Sequence, residues 1–168
     1  PYIFVLKPNG EYLNENWPLE LPEREEVLSL SAGDINGDGM NELVVDTWIP
    51  YVKYKKYFFD FNAQPIGIGE MSFDDADHIG RSHLGDINND GKLEVIFVQD
   101  VNSGYSKVVA YDDVGHLLFE SPEIYQAQEY LSHGNIDRDQ LFEIVGMHTT
   151  ISGEAEIFVL KNNGVVRF

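Results

Sequence analysis

The chain has 168 residues, enough for one domain with a real core and too few for two comfortable ones. Its 11 Lys and Arg against 29 Asp and Glu give a formal charge of −18, which leaves nucleic acid and anionic membrane surfaces without the clustered positive charge that binds them. No apolar run approaches the ~20 residues of a membrane-spanning helix, and the absence of Cys removes thiol catalysis, disulfides and thiolate metal sites together.

The chain opens on Pro1 with no signal peptide, as expected of a processed protein or of a piece of a longer one. Residues 2–13 read as two short strands about the hairpin dipeptide Asn9-Gly10. The first of them, Ile3-Phe4-Val5-Leu6-Lys7-Pro8-Asn9-Gly10, has three counterparts: Phe58 to Pro65, Val108 to Gly115, and Ile157 to Gly164, where Asn163-Gly164 repeats the turn signal. Interleaved with it is a second motif, running Gly33-Asp34-Ile35-Asn36-Gly37-Asp38-Gly39-Met40-Asn41-Glu42. That motif returns as Gly85-Asp86-Ile87-Asn88-Asn89-Asp90-Gly91-Lys92-Leu93-Glu94 and as Gly134-Asn135-Ile136-Asp137-Arg138-Asp139-Gln140-Leu141-Phe142-Glu143. Glu42 and Glu94 stand 52 residues apart, Glu94 and Glu143 49. Two interleaved motifs at one period define an internal repeat.

Within a repeat, β-branched and aromatic runs are bounded by Asn, Asp, Gly and Pro, which predicts strands and not helices. The first full unit reads as strand 27–32, an acidic loop, strand 43–47, strand 57–61, a turn, and strand 66–68. Four short antiparallel strands in ~40–50 residues are the size of a β-propeller blade. The expected fold is therefore all-β: a half blade over 1–25, then blades over 26–76, 77–127 and 128–168. Closed propellers use roughly four to eight blades. Three and a half blades leave both ends open, so the expected partners include the remaining blades, from the same protein or from another chain.

The acidic loops have the spacing of a cation site. Counting from Asp34, side-chain oxygens fall at positions one, three, five and nine: Asp34, Asn36, Asp38 and Glu42. Gly39 permits a sharp turn, and the Met40 carbonyl can then face the carboxylates. Such an all-oxygen cage suits a hard cation of Ca²⁺ size better than Mg²⁺. The second loop repeats the set with Asp86, Asn88, Asp90, the Lys92 carbonyl and Glu94. The third departs from it. Asn135 replaces the first Asp, Gln140 the Gly, and Arg138 places a cation at position four, while Asp137, Asp139, Glu143 and the Leu141 carbonyl remain. The competing reading of each loop is a solvated Asx-rich turn.

Repeats reading Gly-Asp-x-Asn-x-Asp-Gly-x-x-Glu between strands resemble the FG-GAP or VCBS type found in integrin α-subunit propellers and in many bacterial and archaeal surface proteins. The resemblance covers nearly the whole chain. It implies Ca²⁺ in the loop between strands 1 and 2 of each blade. The Phe-Gly…Gly-Ala-Pro element of the integrin repeats is absent, since strand 1 reads Val27-Leu28-Ser29-Leu30-Ser31-Ala32, and position nine is Glu where integrins carry Asp. The likeness is closer to the microbial type.

A further twelve acidic residues fall in the connections from strand 4 to strand 1: Glu15, Glu20, Glu23, Glu25, Glu26, Glu70, Asp74, Asp75, Asp77, Glu120, Glu123 and Glu129. With Arg24 as their compensating cation, they predict a negative face opposite the metal loops. The segment Trp48 to Tyr57 gathers four aromatics and three Lys. It is expected to place its tyrosines in strands against the next blade and its lysines toward solvent; exposed, the rings would stack on sugars or anchor a protein. The histidines His78, His83, His116, His133 and His148 form no recognisable catalytic spacing. The functional expectation is a non-catalytic, extracellular, cell-surface or periplasmic Ca²⁺-binding module that takes a protein or carbohydrate ligand. The alternative is the propeller of a secreted polysaccharide-degrading enzyme.

Overall fold

The computed structural model describes all residues except 75–77, 103, 139–140, 162–165 and 168. Among the described residues there is no helix, and hence none long and apolar enough to cross a membrane. At the N-terminus β1 (Tyr2–Ile3) pairs antiparallel with β2 (Leu19–Glu20). Three larger antiparallel sheets follow. The first takes β3 (Glu26–Gly33), β4 (Glu42–Ile49), β5 (Lys53–Phe59) and β6 (Pro65–Asp74) in chain order. The second orders β7 (His83–Gly85), β8 (Glu94–Asn102), β9 (Tyr105–Tyr111) and β10 (Leu117–Glu120), with β11 (Ile124–Tyr125) also on β9. The third orders β12 (Ala127–Gly134), β13 (Glu143–Thr149), β14 (Ala155–Leu160) and β15 (Val166–Arg167). Each is a meander, so short connections suffice.

The two-residue period of a strand sends neighbouring side chains to opposite faces, and in the first two large sheets both faces of the middle strands are buried. Val44 and Phe58 of the first sheet meet Val95, Phe97 and Val109 of the second in one core. On the second sheet's other face, Ile96, Val98, Val108 and Ala110 meet Ile144, Phe158 and Leu160 of the third. A third core sets Val45, Tyr57 and Phe59 against Ile3, Trp17 and Leu21 of the N-terminal segment. Near-continuous apolar runs such as Val95-Ile96-Phe97-Val98 follow from this double burial. For description, the face a sheet turns toward the next one in the chain is its forward face, the other its backward face.

Several elements differ from the sequence expectation. The hairpin expected over 2–13 is held by one isolated bridge, Leu6 with Tyr12, and by the N–H of Leu13 donating to Val5. Its second strand breaks there and resumes at Leu19–Glu20, because burying Trp17 against the first sheet, with its indole N–H donating to the Phe61 carbonyl at 2.9 Å, bulges the intervening residues outward. The strand expected at 57–61 is Lys53–Phe59, and that expected at 66–68 runs Pro65–Asp74. The turn between β4 and β5 is therefore tight, with Tyr51 at φ 60° and 89% exposed. Asn163-Gly164 lies outside the described residues.

Lysine orientation is a further correction. Lys56, expected at the surface, is 1% exposed on the forward face of β5. Its Nζ donates to Asp46 Oδ1 at 2.9 Å, to the Gly80 carbonyl at 2.9 Å and to Ser82 Oγ at 3.1 Å, and lies 4.2 Å from the centre of the Phe97 ring. Asp46 completes its own bonding by accepting from Ser29 Oγ, from the Ser82 N–H at 2.6 Å and from the Ser82 hydroxyl at 2.7 Å. A charge survives in such a place only when paired and fully hydrogen-bonded.

Candidate functional site

The three acidic loops join the first two strands of the three large sheets. In the first, Asp34 Oδ1 accepts from the N–H groups of Gly37 (2.8 Å) and Asp38 (3.1 Å), and Oδ2 from Gly39 (2.9 Å). Asn36 Oδ1 accepts from the Asp38 N–H at 2.8 Å, and Asp38 Oδ1 from that of Met40 at 2.8 Å. Glu42, 3% exposed at the start of β4, closes the loop by accepting from the Ile35 N–H at 3.0 Å. The second loop has the same scheme: Asp86 accepts from Asp90 (3.0 Å) and Gly91 (3.0 Å), Asn88 from Asp90 (2.8 Å), Asp90 from Lys92 (2.9 Å) and Glu94 from Ile87 (2.9 Å). Gly39 and Gly91 sit at φ 87° and 88°, the left-handed region that motivates glycine at position six.

The first and third residues thus curl the loop around their own oxygens; Asp34 Oδ1 accepts twice and is filled, while Asp34 Oδ2, Asp38 Oδ1 and both Asp86 oxygens accept one of these N–H groups each and retain a lone pair. Electrostatics point the same way. Burial raises the Glu42 carboxyl above its ordinary range, and the charges of Asp38 and Asp34 raise it further. Glu94 is pushed up to about 7, by burial first and then by Asp90 and Asp86. In both loops Asn places an amide N–H₂ among the acids: Asn36 Nδ2 lies 3.3 Å from Asp38, and Asn88 Nδ2 lies 3.0 Å from Asp90 and 3.1 Å from Glu94. The donor set fits a hard cation in chemistry. It is not drawn into a finished cage: among the described residues no three His, Asp or Glu side chains converge as a metal group.

The third loop keeps the closing bond, Glu143 accepting from the Ile136 N–H at 2.8 Å. Asp137 is also ion-paired with Lys161 at 2.7 Å. Arg138 takes φ 65°, where the second loop has Asn89 at 61°. Asp139 and Gln140 lie outside the described residues. A signal for this substitution was present: the residue that follows the third strand is Asp60 and Asp112 in the first two sheets and Lys161 in the third.

Opposite the loops, among the described residues, four of the twelve acidic residues of the expected negative face are paired with basic side chains. Buried Glu25 accepts from Thr47 (3.0 Å) and Tyr57 (2.8 Å) and pairs with Lys55 at 3.1 Å. Glu70 pairs with Lys55, Glu120 with Lys107, and Glu129 with His78 and Arg81. Asp75 and Asp77 lie outside the described residues. The structure also joins two histidines that sequence spacing keeps apart: His83 Nε2 and His133 Nδ1 are 2.8 Å apart across the second and third sheets. Desolvation, then the neighbouring ring, lowers the His83 pKa. Trp48 stacks on Tyr54 at 6.2 Å beside a shallow cleft that also holds His78, Arg81 and Glu129.

Comparison with known proteins found no matching family model, no matching curated protein and no matching solved structure.

Proposed function

We propose that this chain is a Ca²⁺-binding array of β-propeller blades, non-catalytic, serving ligand binding or assembly outside the cytoplasm. The observation that carries the reading is the shared hydrogen-bond scheme of the first two loops, which sets three carboxylates and a carboxamide along one tight loop and closes it on a Glu whose pKa is raised by burial first and then by repulsion from its acidic neighbours. A divalent cation relieves that repulsion, and Asp34, Asn36, Asp38, Glu42 and the Met40 carbonyl would hold it, as would Asp86, Asn88, Asp90, Glu94 and the Lys92 carbonyl. Exposed loops of this kind bind at ~10⁻⁴–10⁻³ M, an affinity matched to external Ca²⁺. The serial meander sheets, each packed face to face on the next, support the blade reading. Calorimetric titration of the metal-stripped protein with CaCl₂ is the direct test. Two saturable sites that MgCl₂ fills more weakly are expected, and no binding at millimolar Ca²⁺ would remove the proposal.

A further inference from the structure

The interface between successive sheets is made from the same positions each time, and the two ends of the chain expose one half of it each. On forward faces, the loop isoleucine is 0% exposed at Ile35 and 2% at Ile87, but 56% at Ile136 of the third sheet. The forward pair on the second and third strands is buried as Val98 and Val108 in the second sheet. In the third its counterparts Met147 and Ile157 are 44% and 62% exposed, on the forward face of the last sheet, termed the head, with the backward face of the N-terminal segment as the tail. Tyr130 adds a further exposed ring there, and the Tyr130, Val145, Met147 and Ile157 surface forms a shallow apolar groove.

The N-terminal segment shows the reverse. Its forward residues Ile3 and Val5 pack on the first sheet. The backward residues between them do not. The matching turn bonds align Lys7 with Asp60 and Asp112, two residues off the pairing of Ile3 with Phe58 read from the sequence, so Phe4 stands where Tyr57, Val109 and Phe158 are buried, and Leu6 where Phe59 and Leu160 are. Phe4 and Leu6 are nonetheless 56% and 54% exposed, with Tyr12 stacked on Phe4 at 6.2 Å. One end thus carries an unfilled backward face and the other an unfilled forward face, of the kind the molecule mates twice within itself between its large sheets.

We propose that these two faces bind each other between copies: the Met147–Ile157 face of one molecule receives the Phe4–Leu6 face of a second, head to tail. The contact continues the internal sheet-to-sheet interface, since forward positions meet backward positions there as they do in the cores. It is heterologous, so a first pairing leaves a free head and a free tail. The formal charge of −18 opposes it at low ionic strength, so added salt strengthens association. This inference rests on apolar burial and not on the proposed metal sites.

The test uses sedimentation velocity on the full chain and two surface variants, Phe4→Glu with Leu6→Glu (tail blocked) and Met147→Glu with Ile157→Glu (head blocked). All four residues are exposed, so circular dichroism should show both variants folded. The unaltered chain should sediment faster as concentration and NaCl rise. Each variant alone should remain monomeric, and an equimolar mixture should form a heterodimer and nothing larger, because one partner contributes the intact head and the other the intact tail. A chain that stays monomeric at every concentration overturns the proposal and assigns the faces to further repeats of a longer polypeptide. Self-association surviving in either variant, or a mixture that does not pair, overturns it in favour of another surface. Ca²⁺ titration of the monomeric variants reads the metal proposal separately.

Discussion

Lys161 Nζ lies 2.7 Å from Asp137 Oδ2, so the third acidic loop is already supplied with a cation by its own sheet. The first two loops have no such lysine at the matching position, where Asp60 and Asp112 use their carboxylates to accept turn N–H groups instead. An ammonium bound through one oxygen competes with a divalent ion for the carboxylate and reduces the negative charge that attracts it. The expected stoichiometry is therefore two Ca²⁺ per chain. Asp34→Ala and Asp86→Ala should each remove one, and Asn135→Ala none. Equilibrium dialysis against ⁴⁵Ca²⁺ counts them, and equal losses from all three variants would show the third loop to be a full site.

Stripping the metal should lower thermal stability. Each emptied loop leaves its acids repelling one another around a buried Glu. A ligand that binds only the folded state stabilises by RT ln(1 + [L]/Kd), ~2.7 kcal/mol per site at a hundredfold excess over Kd. Differential scanning calorimetry in EGTA and in millimolar CaCl₂ should separate the two melting temperatures. Identical values would argue that the loops are Asx-rich turns and nothing more.

Much of this architecture was legible because strand period and loop chemistry are local. The alternation that buries Val44 forward and Val45 backward is written in consecutive residues, as is the nine-residue spacing that brings Glu42 and Glu94 back to the loop start. What escaped was set by neighbours distant in sequence. Whether Lys56 faces solvent depends on Asp46, Gly80 and Ser82, which meet it only once the first sheet and the approach to the second are packed. The His83–His133 contact likewise needs two sheets in place. Trp17 breaks its strand through a bond to the Phe61 carbonyl, 44 residues away.

Sheet-to-sheet packing places one glycine under unusual constraint. Gly67 has φ 53°, and a Cβ there would stand 1.9 Å from the Asp113 carbonyl oxygen in the turn after β9. The same carbonyl accepts from the Ile68 N–H at 3.3 Å, so backbone meets backbone and neither can swing aside. Gly67→Ala should cost about 2–4 kcal/mol, strain and overlap together. Gly153→Ala, with φ 87° and open space around its Cβ, should cost only about 1–2 kcal/mol of left-handed strain. Urea unfolding of the two variants compares them directly, and equal costs would mean that the Asp113 turn yields.

The buried pair between Lys56 and Asp46 makes a prediction in which the sign of a pH effect reverses. Burial works to raise the Asp46 carboxyl, but the Lys56 charge, with the Ser29 and Ser82 bonds, outweighs it and holds Asp46 below its ordinary range. Its folded value is thus lower than the unfolded ~3.9, so its stabilisation is complete above that pH and is lost as pH falls through the folded value. Lys56→Met removes the compensating charge and leaves a buried, unpaired carboxylate, at a cost of about 3–5 kcal/mol near pH 7. Burial then dominates, Asp46 rises above its unfolded value, and the variant should regain stability as pH drops toward ~4, the range where the unaltered chain has nothing to gain. The second sheet shows what an uncharged solution looks like: Val98 and Val108 occupy the matching positions, 2% and 0% exposed. Asp46→Val with Lys56→Val should accordingly recover most of the loss at neutral pH and abolish the acid-side gain. Denaturant midpoints of the three proteins measured from pH 7 to 4 decide it; a Lys56→Met midpoint that falls in parallel with the unaltered chain would mean that Asp46 is not the group left unpaired.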